Sequence, residues 1–170
     1  MLVDSIGGGE PVLHTLRLVL APLRLADEGE HVQASGRPED AQRDTRSADA
    51  HWSDHGFGPW SLRDRENGSF LGVAELHFAG VGIEGIAADE VEAGWWVTES
   101  KRGEGIATEA MRAAIDDLWT RTRTEHVTAY IDAENEPSHR VAAKLGFVVR
   151  GPGRGRSGEP MTVYEFRNGV

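Results

Sequence analysis

The chain has 170 residues, 39% apolar and 27% charged, a balance that supports a folded domain rather than a disordered tract. Its 28 acidic and 18 basic side chains give a formal charge of -10, which disfavours nucleic acid as the main partner and mildly favours cations. The absence of cysteine excludes disulfides, thiolate zinc sites and a cysteine nucleophile. No apolar run approaches the roughly 20 residues that span a bilayer, so no membrane partner is expected and the expected location is the cytoplasm.

Residues 1–10, with Gly7-Gly8-Gly9, read as a flexible leader ahead of one domain over 11–170. Residues 12–20 alternate apolar and polar side chains in the manner of a strand, and 23–32 suit a short helix. Residues 33–50 are polar with few apolar anchors, so either a helix or a mobile loop fits them. Strands are expected at 57–63 and 70–78, joined as an antiparallel hairpin, and at 91–97 after a glycine-rich acidic loop. Ala107, Ala110, Met111, Ala114, Ile115 and Leu118 then repeat at helical spacing. A strand at 126–131, a helix over 137–145 stopped by Gly146, and strands at 147–149 and 161–166 complete a mixed α/β order.

Two segments carry chemistry. In Ser100-Lys101-Arg102-Gly103-Glu104-Gly105 two glycines precede the long amphipathic helix. Glycine lets backbone N–H groups converge, and a helix start adds unpaired N–H groups and partial positive charge, which together suit a pyrophosphate. The plain alternative is a turn that only joins strand to helix. The second segment runs from Asn135 to Phe147. Asn135 and Ser138 stand three apart around a helix start, where they point into one cleft or simply cap the helix. His51 and His55 would share a helix face, but Gly56 and Pro59 argue against a long helix there, and no metal site is expected.

Taken together and in this order, the two segments resemble the GCN5-related N-acetyltransferase (GNAT) superfamily, particularly its ribosomal-protein N-terminal acetyltransferase-like branch. Leu16-Arg17-Leu18, Pro22-Leu23-Arg24 and the strand Glu92-Ala93-Gly94-Trp95-Trp96-Val97 add to the resemblance, which covers nearly the whole chain. Ser100 departs from the family's usual Arg or Gln, and Ala142 stands where many members carry a tyrosine acid. The resemblance implies an α+β fold with a mixed, mostly antiparallel sheet of about seven strands and about four helices. It implies acetyl-CoA as cosubstrate, held by Arg102, Gly103, Glu104, Gly105, Ile106, Ala107, Thr108 and Asn135 together with Trp96 and Val97. It also implies transfer of the acetyl group to a primary amine without a metal.

An amine must lose its proton to attack a thioester, and Glu92 is the first candidate for the base, with Glu75 in reserve. The branch that the chain resembles implies Ser138 as the donor to the departing thiolate, and a backbone N–H near Trp96 or Val97 is the candidate oxyanion donor. Trp52, Trp95, His55 and Trp60 are candidates for the acceptor pocket. A non-catalytic acyl-CoA-binding module of the same fold, and an interaction protein with purely structural glycines, remain as alternatives. An exposed C-terminal strand suits a homodimer.

Overall fold

The computed structural model describes residues 10–169 and the backbone of Leu2 and Val3; residues 1, 4–9 and 170 lie outside the described residues. In chain order the elements are β1 (Leu2–Val3), β2 (Leu13–His14), β3 (Leu18–Pro22), α1 (Glu28–Ser35), α2 (Pro38–His55), β4 (Trp60–Asp64) and β5 (Phe70–Phe78). They continue as β6 (Val91–Val97), α3 (Ile106–Arg121), β7 (His126–Asp132), α4 (Glu136–Leu145), β8 (Val148–Arg154) and β9 (Pro160–Arg167). The strands form one sheet in the order β1-β2-β3-β4-β5-β6-β7-β9-β8. Two of its nine strands are only two residues long, so about seven are substantial.

Every neighbouring pair is antiparallel except β6 and β7, which run parallel. Strand alternation puts Ala74, Leu76, Ala93 and Val97 on one face of the sheet. There they meet Ile106, Ala110, Met111, Ala114, Ile115 and Leu118 of α3, the stripe expected from the sequence. On the opposite face Val73 and Trp96 pack with Phe70, Leu23 and Ala48, beneath α1 and α2. The two halves of β6 therefore serve different layers: Ala93, Trp95 and Val97 face α3, while Glu92, Gly94 and Trp96 face α1 and α2.

Three segments depart from expectation. Of the two readings open for residues 33–50 the helix holds over most of the segment. Gly56, expected to argue against a long helix there, instead ends one, and residues 38–55 form the longest helix of the fold. Its buried side is Ala41, Thr45, Ala48 and Trp52, a helical spacing written mostly in small residues. The C-terminal strand expected at 147–149 continues to Arg154, because a register shift between Val149 and Gly151 lets the chain stay paired with β9. As an edge strand it also tolerates Pro152, since only one side of its backbone is needed for pairing in the sheet. Within the expected leader, Leu2 and Val3 pair with His14 and Leu13; Gly7-Gly8-Gly9 lies outside the described residues.

Candidate active site

The parallel pair that holds β6 to β7 is short. Only Val91 and Glu92 pair with Val127 and Thr128, and the buried Thr128 hydroxyl donates to the Val91 carbonyl at 3.2 Å. Beyond that point the strands part. Ala93–Val97 keep β5 on one side, and Ala129–Asp132 keep β9 on the other. The Thr98 N–H donates to Leu71 of β5 at 2.8 Å. By antiparallel alternation Trp96 and Gly94 also turn their peptide groups to β5, and Val97, Trp95 and Ala93 turn theirs to the gap. The helices α3 and α4 both start from the carboxyl ends of these diverging strands, the place where an open α/β sheet forms a ligand crevice.

At the mouth of the gap Gly103 and Gly105 take φ of 81° and 82°, a left-handed conformation that favours glycine. Among the described residues, the N–H groups of Gly103 to Thr108 have no hydrogen-bond acceptor, and the first amide to close the helix is Glu109, which donates to Gly105 at 3.0 Å. Consecutive unpaired donors at a helix start suit a phosphate group. The loop is braced from behind. Arg17 donates to the Glu104 carbonyl at 2.8 Å, and its guanidinium grips the Glu109 carboxylate at 2.7 Å. Glu109 also accepts from the Arg17 backbone N–H at 2.9 Å and the Thr15 hydroxyl at 2.6 Å. These contacts hold the Glu109 carboxyl below its ordinary value despite the opposing effect of burial.

On the α1–α2 side of β6, Glu92 is 7% exposed and its Oε2 has no hydrogen-bond partner among the described residues. Burial pushes its pKa up to about 7; Glu75 adds to the rise, and His77 and Arg156 oppose it. His77 stands opposite Glu92 in the register, and Glu75 opposite Gly94. Burial works against a charge on His77, yet Glu75, Glu92 and the Phe78 carbonyl outweigh it and raise its pKa to about 9. Next to the sheet, a cleft is lined by Leu23, Asp44, Ser47, His51, Glu75 and His77 among others. A carboxylate poised near neutrality beside a cleft can take a proton from a bound ammonium.

The family model for the acetyltransferase (GNAT) domain matches residues 17–148. The chain belongs to the GNAT family. The Bacillus subtilis protein YkkB is 31% identical over 115 residues, which cover 67% of this chain and 63% of YkkB, so the chain spans less than two thirds of that relative. A Bordetella pertussis structure described as a GnaT-family acetyltransferase superposes with a TM-score of 0.82 at 26% identity, covering 91% of this chain and 98% of its own. A structure of RimL, a ribosomal L7/L12 alpha-N-protein acetyltransferase, in complex with coenzyme A shares the fold at 13% identity. Its TM-score is 0.73, with 92% of this chain and 97% of that one covered.

Within this GNAT fold the residues singled out from the sequence separate into three groups. Gly103 to Thr108 form the amide loop, and Ser138 and Asn135 sit at the start of α4. Asn135 caps that helix by accepting from the Ser138 N–H at 3.2 Å, and the half-buried Ser138 hydroxyl has no partner among the described residues. Arg102 turns back to donate to the Val97 carbonyl at 3.2 Å, so it fastens the loop to the end of β6. Trp96 stacks on His31, with ring centroids 5.1 Å apart, and its peptide faces β5, which leaves Val97 as the gap-facing donor of the two. Trp52 and Trp60 are buried core residues packed edge to face at 4.8 Å, and Trp52 donates to the Pro59 carbonyl at 2.6 Å. Trp95 packs towards Phe147 on the face away from Glu92. None of these three tryptophans lines the cleft, where polar residues stand instead; His55 is exposed at the end of α2.

Sequence reasoning missed Asp44, Ser47, His77 and Tyr130. Asp44 and Ser47 lie on α2, in the segment that the sequence leaves open between helix and loop. His77 and Tyr130 were within assigned strands, and alternation across paired strands would have put both on the face of Glu92. Among the described residues, no group of three His, Cys, Asp or Glu side chains is placed to hold a metal ion. No helix of the described residues is long and apolar enough to cross a membrane.

Proposed function

We propose that the chain transfers the acetyl group of acetyl-CoA directly to a primary amine, with Glu92 as general base. The observation that carries this reading is the unpaired, buried Glu92 carboxylate beside the gap that the free amide loop opens onto. The amides of residues 103–108 hold the pyrophosphate of the cosubstrate, and the gap-facing edge of Ala93, Trp95 and Val97 receives its amide-bearing arm as an added strand would be received. The thioester supplies an activated acyl carbon. The amine nitrogen bonds to that carbon, and the nitrogen proton passes to Glu92. The Val97 N–H steadies the developing oxyanion. As the carbon–sulfur bond breaks, the thiolate leaves with a hydrogen bond from Ser138.

The test is release of CoA thiol from acetyl-CoA, with wild type and Glu92→Gln side by side. Short peptides with Ala, Ser or Met ends, polyamines and aminoglycosides serve as acceptors. Amine-dependent release that falls roughly a hundredfold in the variant is expected. Binding of acetyl-CoA without release from any amine would move the chain to a non-catalytic acyl-CoA-binding role.

A further inference from the structure

The cleft beside Glu92 is more acidic than proton abstraction alone requires. Asp44 on α2 and Glu75 on β5 line the same cleft, which is open to solvent. The Glu75 side chain lies across Gly94, where an added Cβ would come within 3.0 Å of Oε2. Glu75 is thus the diagonal neighbour of Glu92 on the same face, and such positions are about 7–8 Å apart.

The basic groups around the cleft offset these carboxylates only in part. His51 uses both ring nitrogens: Nδ1–H donates to the Phe57 carbonyl at 2.8 Å, and Nε2 accepts from the Phe78 N–H at 3.2 Å. That pairing fixes a neutral tautomer, in keeping with a pKa lowered by burial. His31, buried between Phe70 and Trp96, is lowered by burial as well. His77 carries the imidazole charge of the cleft, 3.9 Å from Glu75. Arg43 meets Asp44 at 3.1 Å with a side chain that is 68% exposed, and Arg156 is engaged by the Ala79 carbonyl at 2.7 Å. Burial, with Glu75 adding to it, keeps the Asp44 carboxyl above its ordinary value against the pull of Arg43. Glu92 Oε2 remains without a partner on the same face.

We propose that the cleft selects acceptors with a second cation: a short diamine or polyamine whose reacting nitrogen sits at Glu92 and whose other ammonium sits between Asp44 and Glu75. The inference rests on the transfer reading above. A second ammonium relieves the repulsion between the two carboxylates and gives each a charge-assisted hydrogen bond. A simple alkylamine leaves Asp44 with only the exposed Arg43 and Glu75 with only His77, and a peptide N-terminus presents neutral amides there. Transfer forms one carbon–nitrogen bond and breaks the thioester carbon–sulfur bond; of the two protons the reacting ammonium loses, one passes to Glu92 and the other leaves with the thiolate as CoA thiol. The product then carries one charge fewer and holds the site less tightly.

The experiment compares 1,4-diaminobutane with n-butylamine in two readouts: kcat/KM for CoA release, and calorimetric affinity for the CoA-bound protein. Wild type should favour the diamine roughly ten- to hundredfold in both, from the added charged hydrogen bonds. The ratio should fall towards one in Asp44→Asn and in Glu75→Gln, with circular dichroism confirming that each variant is folded. Equal preference in wild type, or a preference that survives both substitutions, overturns the inference while leaving acetyl transfer intact. Diamine-selective binding that depends on Asp44, without release from either amine, supports the cleft and overturns the transfer reading. No selective binding and no release overturns both.

Discussion

The carboxyl of Glu92 titrates near 7 because burial disfavours its charge, and the same burial acts on stability. Its folded pKa lies above the unfolded value of 4.5. The stabilisation is therefore complete below about 4.5, where both states are protonated, and is lost as pH rises through about 7. A difference of this size corresponds to about 3 kcal/mol. Glu92→Gln removes the buried charge, so the variant should gain on wild type by about 2 kcal/mol between pH 5 and pH 8 in urea unfolding. Parallel stability profiles would show that the carboxylate is not buried at a cost. In the proposed transfer the same group acts in the other direction. With a protonated acceptor, wild-type kcat/KM should rise through about pH 7 and then level off; in Glu92→Gln that inflection should vanish. Gly94 belongs to the same arrangement. Its alanine variant puts a methyl 3.0 Å from the Glu75 carboxylate and should raise the acceptor KM more than it lowers kcat.

At the level of elements, the start of α3 is shaped from outside the helix. Arg17, on the turn between β2 and β3, occupies the Glu104 carbonyl and the Glu109 carboxylate, so the amides of residues 103–108 remain turned outward. Arg17→Ala should raise the KM for acetyl-CoA about tenfold with kcat within about twofold, one charged hydrogen-bond network being lost from the cradle. Because the guanidinium is 42% exposed, the stability cost should stay near about 1 kcal/mol. A matching fall in kcat would place the effect in the chemistry instead. The sequence displayed α3, α4, β5 and β6 because their apolar spacing is strong, and Gly105, Pro137 and Gly146 mark ends of the two helices. It concealed α2, whose buried stripe is Ala41, Thr45, Ala48 and Trp52, with only one large apolar side chain among the four. With that segment open between helix and loop, Asp44 and Ser47 have no assigned face in the sequence, and Trp52 stands as an acceptor-pocket candidate although the helix carries it into the core. Trp52→Phe should cost about 1–2 kcal/mol from the lost bond to Pro59 and leave the acceptor KM unchanged. A large shift in that KM would return Trp52 to the cleft.

For the whole molecule, a charge of -10 acts on the two reactants of the proposed transfer, which are of opposite sign. The field draws a cationic amine in and resists an anionic thioester cosubstrate. What offsets the second effect is local: unpaired amides and a helix start at residues 103–108, backed by Arg17 and by Lys101, whose Nζ lies 3.3 Å from Glu104. Screening separates the long-range field from these short contacts, since the Debye length falls from about 30 Å at 0.01 M salt to about 8 Å at 0.15 M. Over that interval the KM for 1,4-diaminobutane should rise several-fold, as both steering and the partly exposed Asp44 are screened. The KM for acetyl-CoA should not rise in parallel, because relief from the repulsive field opposes the weakening of its own phosphate contacts. Steady-state kinetics at the two salt concentrations read both slopes from one preparation. If both KM values climbed together, the acidic surface would be serving solubility alone, and acceptor recognition would have to come from uncharged contacts in the cleft.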